Sequence, residues 1–167
     1  FVNAPSGGIT LNTLNGILFS SGDGWTVQTR SDGISSNDVR CGLYDNRGRY
    51  WAGTSAGICF LENGRWTRYR EHQGLPSEDV WACAMDQSGT VWFGTTGGIV
   101  SFNNMEMMDR TVETGLDSVD VRAVYADSRA VYFGTTDGRL FSYDGKSWNT
   151  NLARSLTKRA IYAIATD

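Results

Sequence analysis

Two arginines and two aromatic residues recur at almost constant spacing and are the best candidates for ligand contacts. Arg40, Trp81, Arg122 and Tyr162 follow one another at steps of 41, 41 and 40 residues, and each comes directly after a valine or isoleucine. Aromatic faces stack on sugar rings and other planar ligands, while a guanidinium offers forked donors to hydroxyls or carboxylates. The pattern therefore predicts a binding site with one residue from each repeating unit. The alternative is that these side chains pack against neighbouring units and bind nothing.

The other chemistry-bearing residues do not form a catalytic or metal-binding pattern. The one histidine, His72, is expected in a loop, and a single histidine limits both zinc sites and acid–base catalysis. Cys41, Cys59 and Cys83 contain no Cys-x-x-Cys pair and are interpreted as buried small hydrophobic residues. One disulfide is the alternative in an oxidising compartment. We therefore expect no catalytic residue, no metal and no cofactor.

The composition is that of one folded domain. The chain has 167 residues, of which 40% are hydrophobic and 20% are charged, so a core can form and disorder is not expected. Its formal net charge of −3 lacks the basic excess expected of a nucleic-acid binder. No apolar run approaches the roughly 18 residues of a membrane span, so membrane insertion by this chain is not expected.

An internal repeat sets the predicted fold class. Trp51-Ala-Gly-Thr54, Trp92-Phe-Gly-Thr95 and Tyr132-Phe-Gly-Thr135 recur at steps of 41 and 40 residues. Short runs of alternating apolar residues are separated by turn signals such as Asp45-Asn-Arg-Gly48 and Asn63-Gly64. Each unit therefore predicts a four-stranded antiparallel meander with the length of one propeller blade. The predicted fold is an all-β propeller of four such blades.

The whole chain, 1–167, is predicted to be a single propeller domain. The blades are expected at 9–29 plus 160–167, at 38–70, at 79–111 and at 120–150. The first blade combines both ends because the N-terminal unit lacks a first strand and Ile161–Thr166 supplies a spare one. Such pairing would hide exposed strand edges and close the ring. The alternatives are an eight-bladed ring made by a homodimer and a piece of a longer propeller.

The repeat resembles that of a known family. Gly74-Leu-Pro-Ser-Glu-Asp-Val80, followed by Asp86-Gln-Ser-Gly-Thr-Val-Trp-Phe-Gly-Thr95, resembles the two-component regulator propeller repeat. Matching segments are Asp32-Gly-Ile-Ser-Ser-Asn-Asp-Val39 and Thr114-Gly-Leu-Asp-Ser-Val-Asp-Val121. The first unit departs from the pattern, since Thr10-Leu-Asn-Thr13 replaces the Trp-x-Gly-Thr signature. The resemblance still extends over nearly all of residues 9–167.

This resemblance implies a sensing role without catalysis. Such repeats form the periplasmic or extracellular ligand-sensing propellers of bacterial hybrid sensor kinases, which are often glycan sensors. The expected function is therefore binding of an extracytoplasmic ligand, such as a glycan. A protein-interaction scaffold of the same fold is the second candidate. A propeller lyase that uses histidine and a metal is the third, and the single histidine argues against it.

Overall fold

The chain forms four antiparallel sheets of four strands each in the computed structural model. The structure describes residues 1–5, 7–22, 24–115, 119–150, 152 and 159–165. Within each sheet the strands lie in chain order, so every sheet is a meander. The predicted all-β class and its four four-stranded units are confirmed.

The strands are numbered along the chain. The first sheet contains β1 (Val2–Asn3), β2 (Ile9–Thr13), β3 (Gly16–Ser21) and β4 (Gly24–Gln28). The second contains β5 (Val39–Tyr44), β6 (Tyr50–Thr54), β7 (Gly57–Glu62) and β8 (Arg65–Tyr69). The third contains β9 (Val80–Met85), β10 (Val91–Thr95), β11 (Gly98–Asn103) and β12 (Glu106–Asp109). The fourth contains β13 (Val121–Ala126), β14 (Val131–Thr135), β15 (Leu140–Tyr143) and β16 (Trp148–Asn149). Among the residues that the structure describes, two one-turn helices lie between sheets, a 3-10 helix at Glu71–Gln73 and α1 at Thr111–Thr114.

An aspartate fixes the turn after the first strand in each of the last three sheets. Asp45 Oδ1 accepts hydrogen bonds from the backbone nitrogens of Arg47 at 2.9 Å and Arg49 at 3.0 Å. Asp86 and Asp127 accept equivalent pairs of backbone hydrogen bonds in their own turns. These bonds satisfy amides that the tight turn leaves without a strand partner. The repetition of aspartate along the sequence therefore has a local structural cause.

Three apolar cores lie between successive sheets. Trp51 of the second sheet reaches the third, where its ring centroid is 5.0 Å from that of Phe102. Trp92 of the third sheet reaches the fourth, 5.6 Å from Phe133. Tyr50 lies in the core between the first and second sheets. The sheets therefore pack face to face in chain order, each joined to the next by large aromatic side chains.

The glycine before each repeated threonine lets the next sheet approach closely. A Cβ at Gly53 would lie 2.6 Å from Val80 Cγ1, and one at Gly94 would lie 2.7 Å from Val121 Cγ1. Real Cβ atoms essentially never show such distances, so any larger residue must displace the neighbouring strand. The Gly-Thr signature is therefore a steric requirement of inter-sheet packing.

Gly94→Ala is expected to lower the free energy of unfolding by about 1–3 kcal/mol through overpacking against Val121. Gly24→Ala is the matched control, because a Cβ there meets nothing within 4 Å. Urea denaturation of both variants measures the difference. Equal midpoints for Gly94→Ala and Gly24→Ala would show that the close approach carries no energetic weight.

Residues 161–165 do not complete the first sheet as was expected of the segment 161–166. The edge beside β2 is taken by β1, and residues 159–165 contain no strand. Ile161 instead donates its backbone N–H to Thr135 O at 2.9 Å, and its side chain sits against Gly134. Val80 packs in the same way against Gly53, and Val121 against Gly94. The segment therefore continues from the fourth sheet. Thr166 lies outside the described residues.

Candidate functional site

Three of the four predicted ligand residues occupy the same special position, namely Arg40, Trp81 and Arg122. Each is the extra residue of a β-bulge near the start of the first strand of its sheet. In the second sheet, Val39 pairs with Thr54, and the next residue to pair is Cys41. A bulge leaves its extra residue outside the ladder and redirects its side chain. The fold therefore presents these three side chains in equivalent ways.

The three side chains form a stack. The guanidinium carbon Cζ of Arg40 lies 3.5 Å from the ring centroid of Trp81, and Cζ of Arg122 lies 3.5 Å from the same centroid. Two guanidinium groups at this distance fit only on opposite faces of the indole. Each contact is a cation–π interaction. This arginine–tryptophan stack joins the second, third and fourth sheets.

Carboxylates hold both arginines of the stack. Arg40 Nη2 lies 3.1 Å from Asp38 Oδ2, and its Nη1 lies 2.5 Å from Asp79 Oδ1. Arg122 Nη2 lies 2.6 Å from Asp120 Oδ2. Because all of these groups are partly exposed, the pairs orient the guanidinium groups more than they stabilise the fold.

The tryptophan of the stack is linked to one of these carboxylates, that of Asp79, through Thr96. Trp81 Nε1 donates to Thr96 Oγ1 at 3.2 Å, and Thr96 Oγ1 donates to Asp79 Oδ2 at 2.9 Å. Sequence reasoning did not single out these aspartates. Their signal is the Asp-Val pair that recurs at 38, 79 and 120, directly before the candidate residues.

The side chains of the stack are not free to make the ligand contacts expected of them. Both faces of Trp81 are covered, and three carboxylates outnumber the two guanidinium groups that they pair with. Two buried atoms, Arg122 Nε and Asp38 Oδ1, have no hydrogen-bond partner within the described chain. A sugar cannot stack on this indole in the present arrangement, and an anion meets a net negative cluster.

An open depression of about 530 Å³ lies beside the stack. Its lining residues are Asn12, Thr13, Leu14, Asp38, Val39, Arg40 and Trp81. Leu14 is 74% exposed at the turn between β2 and β3. The depression therefore brings amide, hydroxyl and carboxylate groups together with one exposed apolar side chain.

Tyr162, the fourth predicted residue, is not part of the stack. It follows Ile161 beyond the fourth sheet and is 70% exposed. Among the described residues it makes no hydrogen bond or ring contact with the stack. The structure therefore brings together three of the four candidates and leaves this tyrosine open to solvent.

The cysteines and the histidine lie outside this site. All three cysteines are free thiols, and burial raises the pKa of Cys59 to about 11. A hydrogen bond with Cys41, together with burial, raises the pKa of Cys83. His72 lies in the 3-10 helix between the second and third sheets. The described residues contain no cluster suited to a metal ion, and none of their helices is long and apolar enough to cross a membrane.

The third unit matches a family model. The model described as two component regulator propeller matches residues 74–97, which include Trp81 and the Gly-Thr signature of β10. Among curated protein sequences, none matches the chain.

Several solved structures share the fold. The extracellular domain of BT3049 from B. thetaiotaomicron, described as a hybrid two component system, is 20% identical with a TM-score of 0.71. The match covers 84% of this chain and 22% of that one. A catalytically inactive virginiamycin B lyase from Staphylococcus aureus is 14% identical, with a TM-score of 0.61 over 80% of this chain and 47% of the lyase. YCF48 bound to D1 peptide is 17% identical, with a TM-score of 0.56 over 87% of this chain and 50% of YCF48.

The chain spans about a fifth of the BT3049 domain and about half of the other two proteins. At these identities the likeness establishes the fold. Together with the four meander sheets, it establishes a β-propeller-type fold, in which residues 74–97 match the two component regulator propeller model.

Proposed function

We propose that this chain is a non-catalytic ligand-binding sensor domain that acts in the periplasm or outside the cell. The observation that carries the proposal is the depression beside Arg40 and Trp81, where polar groups of two sheets converge around Leu14. The matched B. thetaiotaomicron structures are extracellular domains of systems described as two component, which supports both the sensing role and the location.

The proposed ligand is uncharged and rich in hydroxyl groups, as a neutral glycan is. Asn12, Thr13 and Asp38 already make hydrogen bonds within the chain and would share their remaining lone pairs and N–H groups with the ligand. Leu14 offers an apolar contact for the less polar face of a sugar. Trp81 contributes its edge, since guanidinium groups cover both of its faces. Anionic ligands are disfavoured because both arginines already pair with carboxylates.

Binding to arrays of soluble neutral and anionic glycans tests this proposal. Wild type is expected to bind neutral glycans, and Leu14→Asp is expected to weaken that binding about tenfold or more, the equivalent of about 1.4 kcal/mol. Val112→Asp is the matched control, because Val112 is also highly exposed but lies on α1. Silence of wild type across all glycans would overturn the glycan assignment. Binding of anionic glycans alone would overturn the charge argument.

A protein-interaction scaffold is the second candidate function. YCF48, which has a similar fold, has been solved with a bound peptide. The observation in this chain that favours an interaction role is an exposed apolar face on the first sheet, which carries Trp25 and Val27. A lyase activity is not proposed, because the chain has a single histidine.

A further inference from the structure

One face of the first sheet is apolar and exposed. Leu11 lies opposite Leu18, and Leu18 lies opposite Val27, so these three side chains share one face. Strand alternation places Ile9 and Trp25 on the same face. Ile9 is 41% exposed, and Trp25 and Val27 are each 51% exposed. These five residues are called the first-sheet face.

The equivalent face of the third sheet is buried. Phe93 stands two residues before the repeated Thr95, as Leu11 stands before Thr13, and it lies opposite Val100. Both Phe93 and Val100 are fully buried in the core between the second and third sheets. In this repeat, therefore, the face that is exposed on the first sheet is the one that packs against the preceding sheet in the third.

The preceding sheet supplies a large aromatic side chain for that face. Trp51 of the second sheet covers the face of the third, and Trp92 of the third sheet covers the face of the fourth. Tyr132 holds the corresponding position in the fourth sheet. The fourth sheet thus carries, at Tyr132, an aromatic side chain like those that cover the equivalent face in the other sheets.

The edge of the first sheet is also incomplete within the described residues. In the third sheet β10 pairs with β9 along its whole length, from Thr95 to Val91. In the first sheet β2 pairs with β1 only at Thr10 and Ile9. The backbone from Leu11 to Thr13 consequently has no strand beside it on that side. Such an open edge is a template for a strand from another chain.

The segment 161–165 has the position and register to fill that edge in another molecule. Ile161 packs against Gly134 as Val80 packs against Gly53, so residues 161–164 correspond to the start of a first strand. β1 corresponds only to the end of a first strand, because Val2 pairs with Thr10 as Ala84 pairs with Trp92. The two segments are therefore complementary rather than competing.

We propose that two copies of this chain associate head to tail. The fourth sheet and segment 161–165 of one copy cover the first-sheet face and the open β2 edge of the other. Because each copy carries both surfaces, the contact is made twice in the pair. The proposal does not depend on the ligand proposed above.

Sedimentation velocity over about a hundredfold range of concentration tests this association. Wild type is expected to show a concentration-dependent dimer. Trp25→Asp and Ile164→Asp should each be monomeric, because one destroys the first-sheet face and the other the segment that pairs with the β2 edge. Val112→Asp should dimerise like wild type. A wild type that stays monomeric throughout the range would overturn the proposal, and so would assemblies larger than a dimer.

Mixing the two monomeric variants separates this arrangement from a symmetrical face-to-face dimer. Trp25→Asp keeps an intact segment and Ile164→Asp keeps an intact face, so their mixture should form one contact and a weaker dimer. In a face-to-face dimer, Ile164→Asp would still dimerise by itself, and that result would contradict the head-to-tail contact. Circular dichroism of each variant checks that the sheets are retained.

Discussion

Trp92→Ala is expected to lower the free energy of unfolding by about 3–5 kcal/mol. Trp92 is 1% exposed, and its ring lies 5.6 Å from Phe133 and 5.9 Å from Trp148 of the fourth sheet. Its indole Nε1 also donates to Asp86 Oδ2 at 2.8 Å. The substitution therefore opens a cavity between two sheets and removes a hydrogen bond to a turn aspartate.

Trp25→Ala is the matched control for this measurement. Trp25 is 51% exposed, so its removal should change the unfolding free energy of the isolated chain by well under that amount. Urea denaturation at a concentration where the chain is monomeric gives both values. If the two variants lost equal stability, the buried tryptophan would not be what holds the third and fourth sheets together.

The tryptophans show how far the repeat allows prediction. Regular spacing of the Trp-x-Gly-Thr signature correctly predicts four-stranded sheets, because strand length, turn position and the glycine seat all repeat with it. Burial does not follow from spacing alone. Trp25 and Trp148 have the same phase in their units, yet only Trp148 lies against another tryptophan, Trp92, from a preceding sheet. What covers a side chain depends on the neighbouring sheet, and this information is not local.

The sequence predicts which candidate residues meet, but not how their side chains are arranged. Repeat phase alone indicates that Arg40, Trp81 and Arg122 belong together, and the stack confirms that they meet. It does not indicate that each is the extra residue of a bulge, because a bulge depends on pairing with the neighbouring strand. The bulges turn the two guanidinium groups onto the indole, which removes the free aromatic face that sequence reasoning assigned to Trp81.

The pairing of the chain ends depends on a feature too short for pattern analysis. β1 has only two residues, Val2–Asn3, and a run of that length has no periodicity to detect. The expectation that 161–166 would pair with β2 followed from the apparent lack of a first strand. The contact of Ile161 with Gly134 repeats the valine–glycine contact of the earlier units. The C-terminal segment is therefore placed by the repeat, next to the fourth sheet, and does not lie at the edge of the first sheet.

Asp45→Ala is the other substitution with a large expected effect, a loss of about 3–5 kcal/mol. It removes the hydrogen-bonded carboxylate from a buried guanidinium and leaves that group only the more distant Glu62 Oε1, at 4.0 Å. Arg49 is 7% exposed, and its Nε lies 2.6 Å from Asp45 Oδ2. The same oxygen accepts a hydrogen bond from Trp51 Nε1 at 2.8 Å. Asp127→Ala is the matched control, because the Asp127 carboxylate caps the equivalent turn through backbone amides and, among the described residues, pairs with no buried arginine. A much smaller loss of stability is therefore expected.

The same carboxylate should make the protein sensitive to acid. Burial by itself raises the pKa of Asp45, but hydrogen bonds from Trp51 and Arg49 outweigh burial and hold that pKa below the ordinary aspartate value. A carboxyl group with a lowered pKa in the folded state contributes stability above its unfolded pKa, and this contribution is lost as the pH falls through the folded pKa. Urea midpoints measured from neutral pH down to the acidic range should therefore fall more steeply for wild type than for Asp45→Asn, which carries no titrating group there. Parallel curves for the two proteins would mean that the pair of Asp45 and Arg49 does not contribute to stability through its charge.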